Sequence, residues 1–152
     1  MNTATASPRI DYRKASTLAL PAMLALQNAA NKSGLEPALV ELVKLRASQI
    51  NGCAYCMDMH FRDARKAGEE ERRLVTLSAW RELDYYTPRE KTALLWTETL
   101  TRMADHHISD EVFHQVKEQF SETEMVNLTL VIVAINGWNR FAAGFAVPPG
   151  FV

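Results

Sequence analysis

The sequence predicts an all-α protein, a single domain spanning residues 1–152 with about six to seven helices. Apolar residues recur at helical rather than alternating spacing nearly everywhere in the chain. The breaks between these periodic segments coincide with recognisable helix-end signals. With 152 residues, the chain is long enough to bury a core as one domain without metal ions or disulfide bonds.

Three helices are predicted in the first half of the chain, after a disordered or extended start. Ser33-Gly34 ends the first helix, because glycine readily adopts the left-handed conformation found after helix C-termini. Asn51-Gly52 supplies the same freedom after the second helix, and the third helix opens at the cysteines. The predicted ranges are 17–32, 36–50 and 53–68.

Helix-start signals predict the remaining helices. A run of three glutamates places negative charge at the electropositive start of a fourth helix, predicted over residues 70–83. Thr87-Pro88-Arg89-Glu90 combines a capping threonine, a proline at the first helical position and a glutamate that can close a capping box. Ser109 and the sequence S-x-x-E at Ser121 predict two further starts.

The final apolar segment, residues 128–135, is rich in β-branched side chains and equally resembles a buried strand on local propensity alone. A capping box precedes it, and the chain contains no second strand candidate with which it could pair. We therefore predict a helix here. Trp80, Trp96 and Trp138 are interpreted as core residues.

The composition excludes several classes of protein. A formal net charge of -1 gives no electrostatic reason to expect binding to nucleic acid or to anionic lipid. Residues 1–9 lack the apolar region of a secretion signal, and no stretch approaches the length of apolar residues needed to span a membrane. Two cysteines three residues apart are typical of a cytosolic redox or metal site, so we expect a cytoplasmic protein.

Four chemically complementary side chains lie close together in the sequence: Glu41, Cys53, Cys56 and His60. A cysteine pair at a helix start lies near unpaired backbone N–H groups, which stabilise a thiolate and lower its pKa. Cys53 and Cys56 can form a disulfide, and His60 lies one turn beyond Cys56, where it can act as a base. Glu41, on the preceding helix, can turn back toward His60 and orient its imidazole.

Other interpretations of these residues stay open. The cysteine pair could be half of a structural zinc site, with His106, His107 and His114 as remaining ligands, but no second C-x-x-C or H-x-x-x-H pair is present. Two neighbouring cysteines could also be inert core residues. A thioredoxin fold explains the C-x-x-C motif poorly, because the βαβ pattern that surrounds that motif in thioredoxins is missing. His106-His107 is interpreted as the end of a helix.

These residues resemble the alkylhydroperoxidase D-like branch of the carboxymuconolactone decarboxylase superfamily. Its signature is a glutamate, eleven intervening residues, C-x-x-C, three residues and a histidine, and the four side chains match every spacing. The flanking segments INGCAYCMDMH, TPREKTALLWTETLT and VIVAINGWNRFAAGF are also similar to single-repeat members. The decarboxylase branch lacks the cysteine pair, so lactone decarboxylation is not expected of this chain.

The resemblance implies a thiol peroxidase. Cys56 would be the peroxidatic thiol that attacks a hydroperoxide, Cys53 the resolving thiol, and His60 and Glu41 the proton relay. An external dithiol, such as a lipoyl-bearing protein, would regenerate the enzyme, and no metal, flavin or haem is implied. Single-repeat relatives assemble as rings, so we expect a homo-oligomer, a hexamer.

One position departs from the family pattern. Well-characterised members can carry a second histidine immediately before the distal cysteine, and this chain has Tyr55 there. Tyrosine is a poor base at neutral pH because its unperturbed pKa is about 10, so weaker peroxidase activity is expected. The alternative function is a redox-sensing or stress-related interaction protein that uses the cysteine pair as a slow switch.

Overall fold

The computed structural model of the protein describes residues 7–151, and its regular secondary structure in that range is entirely helical. We number the α-helices α1 to α8 in chain order, with one 3-10 helix between α5 and α6. Their bounds are Tyr12–Ala15 (α1), Ala19–Ala30 (α2), Pro37–Ile50 (α3), Ala54–Lys66 (α4), Glu71–Val75 (α5), Leu77–Glu82 (3-10), Pro88–Thr101 (α6), Asp110–Gln119 (α7) and Glu122–Gly144 (α8). The predicted all-α class is confirmed.

The number of helices differs from the prediction, because residues 7–151 contain nine helical segments rather than six to seven. The predicted fourth helix is split into α5 and the 3-10 helix. The hydroxyl of Thr76 donates to the carbonyl of Arg72 at the break, and Ala79 lies outside helical backbone angles. Because side chains three residues apart align in a 3-10 helix, Leu77 and Trp80 both enter the core.

The other additional helix is α1, which lies in the segment predicted to be disordered or extended. Residues 1–6 of that segment lie outside the described residues. The carboxylate of Asp11 caps α1 by accepting from the backbone N–H of Arg13, and the ring of Tyr12 packs against Phe141 and Phe145 near the end of α8. One helical turn is too short to show a periodic pattern, so only these distant contacts reveal it.

Helix α8 spans the segment whose β-branched residues resemble a strand. Both halves of the capping box at its start are formed by Ser121 and Glu124, as predicted. Its buried face includes Leu128, Val131 and Ile132, which pack in a large cluster with residues of α2, α3, α6 and α7. The prediction of a helix here is confirmed.

Helix α3 occupies the centre of the fold, packing against α4, α6 and α8. The chain reverses between α3 and α4 at Asn51-Gly52, where Gly52 adopts a positive φ of 63° that residues with a Cβ rarely tolerate. This turn places the start of α4 beside the end of α3 and next to α8. Across residues 7–151, no helix has the length and apolar character required to cross a membrane.

Candidate active site

The cysteine pair lies at the start of α4. Cys53 is the N-cap residue, and its backbone N–H donates to the carbonyl of Ser48 at 3.0 Å, which ties the helix start to the end of α3. Cys56 lies one turn along α4. Both side chains are almost fully buried, both thiols are free, and they pack together with Ala47, Ile135 and Ala142. The two thiols therefore lie in one buried cluster at the start of α4.

The environment of the two thiols favours one negative charge, carried by Cys53. A hydrogen bond from the Cys56 thiol lowers the pKa of Cys53 to about 7. Burial acts in the opposite direction, whereas the backbone N–H groups of Cys56 and Tyr55 lower this pKa further. The same hydrogen bond and burial raise the pKa of Cys56. The lowered pKa of Cys53 agrees with its location at the helix start. Near neutral pH the pair thus shares one proton.

Glu41 and His60 come together across the α3–α4 hairpin. Glu41 Oε2 lies 2.8 Å from His60 Nδ1, and Glu41 Oε1 accepts from Lys44 Nζ at 3.1 Å. Burial alone would raise the pKa of Glu41. The hydrogen bond from His60, the positive charge of a protonated His60 and the charge of Lys44 together lower this pKa. Glu41 is thus held as a carboxylate, which fixes the orientation of the imidazole and can balance a positive charge on it.

A cavity of about 340 Å³ opens beside these residues. Cys56 and His60 both line it, whereas Cys53 is not among its lining residues. The cavity is lined by Tyr12, Gln27, Asn31, Lys44, Tyr55, Cys56, Met59, His60, Trp138 and Ala142. Cys56 is therefore the thiol that a small molecule in the cavity meets.

Three aromatic side chains give this cavity its apolar walls. Tyr12 reaches it from α1 and Tyr55 from α4, while Trp138 projects from α8 and donates its Nε1–H to Gln27 at 3.1 Å. Burial and the neighbouring Tyr55 raise the pKa of Tyr12, so its hydroxyl stays protonated. Trp138, interpreted from the sequence as core, is half-buried and lines the cavity, whereas Trp80 and Trp96 are buried.

Sequence reasoning missed three polar residues at this site. Lys44 had a signal, because it follows Glu41 by three residues on a predicted helix, a spacing at which opposite charges pair. Tyr12 lies in a segment predicted to be disordered or extended. Asn139 lies in a helix interpreted as core, yet its side chain lowers the pKa of both cysteines. Only the packing of α1 and α8 onto the hairpin reveals these two.

A cation could be held beside the cysteines rather than by them. Glu41, His60 and Asp63 offer ligand atoms that lie within 4.8 Å of one another, although Asp63 also pairs with Lys66. His106, His107 and His114, the ligands imagined for a zinc site, are exposed side chains. Within residues 7–151, the one group of three possible donors contains neither cysteine.

Comparison with known proteins identifies a family whose model matches more than half of the chain. The model of the Carboxymuconolactone decarboxylase family aligns with residues 18–99. This range includes Glu41, Cys53, Cys56 and His60.

Three individual proteins are similar over most of the chain. The uncharacterized protein YdfG of Bacillus subtilis (strain 168) is 40% identical over 136 residues, which are 90% of this chain and 92% of that protein. The second is a protein of unknown function from Agrobacterium tumefaciens, and the name of its crystal structure suggests the antioxidant defence protein AhpD. Its sequence is 42% identical, and the TM-score is 0.91. The match covers 96% of this chain and 100% of that chain.

The third of these proteins shares the fold. It is an uncharacterized peroxidase-related protein from Silicibacter sp. TM1040, with 22% identity and a TM-score of 0.77. The match covers 86% of this chain and 70% of that chain. The helical fold is thus shared with a protein whose sequence is only 22% identical.

Proposed function

Because the chain belongs to the carboxymuconolactone decarboxylase family, in its alkylhydroperoxidase D-like branch, we propose that it is a thiol-dependent peroxidase and disulfide oxidoreductase. One observation carries this proposal. Cys56 lines the cavity beside His60, Cys53 packs with Cys56 in one buried cluster, and Glu41 Oε2 lies 2.8 Å from His60 Nδ1. A nucleophile, a resolving thiol and a proton relay are therefore contiguous.

The first step forms a thiolate at Cys56 and uses it to reduce the peroxide. The shared proton moves from Cys56 to Cys53 along the thiol hydrogen bond, which adds no second negative charge to the pair. The Cys56 sulfur then attacks the terminal oxygen of the hydroperoxide, so that an S–O bond forms and the O–O bond breaks. The alkoxide takes a proton from His60, whose positive charge Glu41 had balanced, and leaves as an alcohol.

The second step resolves the sulfenic acid on Cys56. Cys53 gives its proton to the neutral His60, and its sulfur attacks that of Cys56. The S–S bond forms, the S–O bond breaks, and hydroxide takes the proton from His60 and leaves as water. The two sulfurs have lost two electrons and the peroxide has gained them.

An external dithiol completes the cycle by thiol–disulfide exchange, supplying two electrons and two protons. The family resemblance implies that a lipoyl-bearing protein can be this donor. Tyr55 lines the cavity at the position of a histidine in other members. It can donate a hydrogen bond but is a poor base at neutral pH, so peroxide reduction is expected to be slower than with a full histidine pair.

Two matched cysteine variants test the proposal. With an alkyl hydroperoxide and a dithiol donor, wild-type protein should turn over repeatedly, and Cys56→Ser should be at least about a hundredfold slower because it lacks the nucleophile. In the absence of the donor, Cys53→Ser should consume one equivalent of peroxide and stop at the sulfenic acid, whereas wild-type protein should stop at the Cys53–Cys56 disulfide. Peroxide consumption by Cys56→Ser at the wild-type rate would refute the assignment.

A slow redox switch is the second candidate function, and the near-complete burial of both thiols favours it, since burial slows encounter with oxidants. The two candidates differ in rate. Reduction of peroxide by the intact protein no faster than by a free dithiol would favour the switch, whereas a rate well above that of the dithiol favours the peroxidase.

A further inference from the structure

A buried asparagine on α8 is hydrogen-bonded to residues at the end of α3, immediately before the cysteine pair. Asn139 is 1% exposed, and its amide is held at both ends. Its Oδ1 accepts from Asn51 Nδ2 at 2.8 Å, and its Nδ2 donates to Ser48 Oγ at 3.0 Å. The Ser48 hydroxyl is itself committed, because it donates to the carbonyl of Lys44 at 2.8 Å. These contacts leave the amide one orientation.

The orientation matters because the amide group has two N–H bonds and only one is used by Ser48. Asn139 lies on the same face of α8 as Ile135 and Ala142, which pack directly on Cys53 and Cys56. The free N–H is therefore buried on the face of α8 that packs on the cysteine pair.

We propose that Asn139 is a catalytic residue that donates a hydrogen bond to the charged form of the cysteine pair, and that Asn51 and Ser48 are positioning residues that fix its amide. The inference rests on the proposed thiol chemistry but concerns the ionisation of the thiols rather than the reduction of peroxide. The location of the amide agrees with the electrostatics of the site, because the Asn139 side chain lowers the pKa of both cysteines.

A second asparagine of α8 shows what a purely structural role looks like. Asn127, three turns earlier, donates from Nδ2 to the backbone carbonyl of Ser33 at 2.8 Å and thereby holds the end of α2. Its partner is a neutral backbone carbonyl that needs only a hydrogen-bond donor. Asn139 instead lies on the face of α8 that packs on the cysteines, and one of its two N–H groups is left over after the contacts with Asn51 and Ser48 are made.

The test measures thiolate formation in the full-length reduced protein, without peroxide, by ultraviolet thiolate absorbance as a function of pH. Asn139→Leu keeps a similar volume and removes the N–H, so the titration midpoint should rise by about one pH unit, a roughly tenfold loss of thiolate at a given pH below the midpoint. Asn127→Leu is the matched control, and it should lower stability without moving the midpoint. A midpoint in Asn139→Leu equal to that of wild type would overturn the proposal.

Two further variants keep the test decisive if Asn139→Leu fails to fold. Asn139→Asp preserves shape but places a carboxylate beside the thiolate, so the midpoint should rise further. Asn51→Leu leaves Asn139 in place and frees its amide to turn, so a smaller rise is expected, and no rise in either variant would contradict the proposal. If these shifts occur while wild-type protein fails to reduce peroxide, the peroxidase function is wrong and the role of Asn139 stands.

Discussion

The two sulfur atoms differ in position and in charge. Cys56 lines the cavity, whereas Cys53, at the helix N-cap, carries the lowered pKa. The cavity thus meets one thiol, and the other thiol carries the favoured negative charge. The transfer of one proton from Cys56 to Cys53 moves the charge to the sulfur that lines the cavity without ionising the pair twice.

The shared proton predicts how peroxide reduction depends on pH. The pKa of Cys53 is lowered to about 7, so below that pH the pair acquires a second proton and loses its thiolate. We expect kcat/KM for hydroperoxide to fall about tenfold per pH unit below the midpoint. Circular dichroism at each pH is the control for unfolding. A rate that stays constant through the midpoint would show that the ionised pair is not the nucleophile.

Glu41 should act through its charge rather than its hydrogen bond alone. Glu41→Gln retains an acceptor for His60 but removes the negative charge that balances a protonated imidazole. Peroxide turnover should fall by about tenfold to a hundredfold. The matched control is Glu36→Gln at the start of the same helix, where the carboxylate pairs with Arg89 instead, and it should keep the wild-type rate. Equal rates for both variants would remove Glu41 from the relay.

Among the helices, a buried carboxylate connects α3, the 3-10 helix and α6. Glu98 accepts from Arg46 Nε at 2.8 Å and from Trp80 Nε1 at 3.0 Å, and it also pairs with Arg81. Burial alone would raise its pKa, but the hydrogen bonds from Trp80, Arg81 and Arg46 lower it. The ionised form is therefore favoured in the folded protein relative to the unfolded chain.

The lowered pKa of Glu98 predicts that the folded protein loses part of its free energy of unfolding in acid. Because the folded pKa is depressed, the contribution of Glu98 is complete above its ordinary pKa and is lost as pH falls through the folded value. Glu98→Gln should lower the free energy of unfolding near pH 7 by about 2 kcal/mol or more, since it leaves the buried Arg46 without a counter-charge. Its stability should also change less between about pH 5 and pH 3 than that of wild type. Urea denaturation measures both, and parallel pH profiles would contradict the prediction.

The surface of the whole molecule bears on its assembly. Val126 and Val133, two turns apart on α8, and Met103 after α6 are each more than half exposed. Apolar side chains exposed in this way on one region of a protein are often covered by another copy. The predicted homo-oligomer, a hexamer, would bury such a surface.

Sedimentation velocity tests this assembly at micromolar protein concentration. Wild-type protein should sediment as an oligomer, and Val133→Lys should shift it toward smaller species because the new charge would be desolvated at the interface. Val75→Lys, at an exposed valine on α5, is the control and should leave the oligomer intact. A wild-type monomer would refute the prediction of a ring.

Local sequence signals alone determined the helical class and most helix boundaries. Capping boxes at Thr87 and Ser121 and the turn at Gly52 are formed as predicted, because each depends on residues within one turn of the chain. The contact of Glu41 with His60 could be predicted for a similar reason. A short turn joins the two predicted helices, and the positions of the two residues along these helices limit which side chains can meet.

Tertiary structure alone decided the remaining features of the site. Tyr12 and Asn139 reach the cysteines from the two ends of the chain, across distances in sequence that no local pattern encodes. The distribution of charge within the cysteine pair was likewise settled by burial and by which groups donate to each sulfur. Periodicity and capping report interactions between near neighbours, whereas cavity walls and thiol ionisation depend on which distant helices pack together.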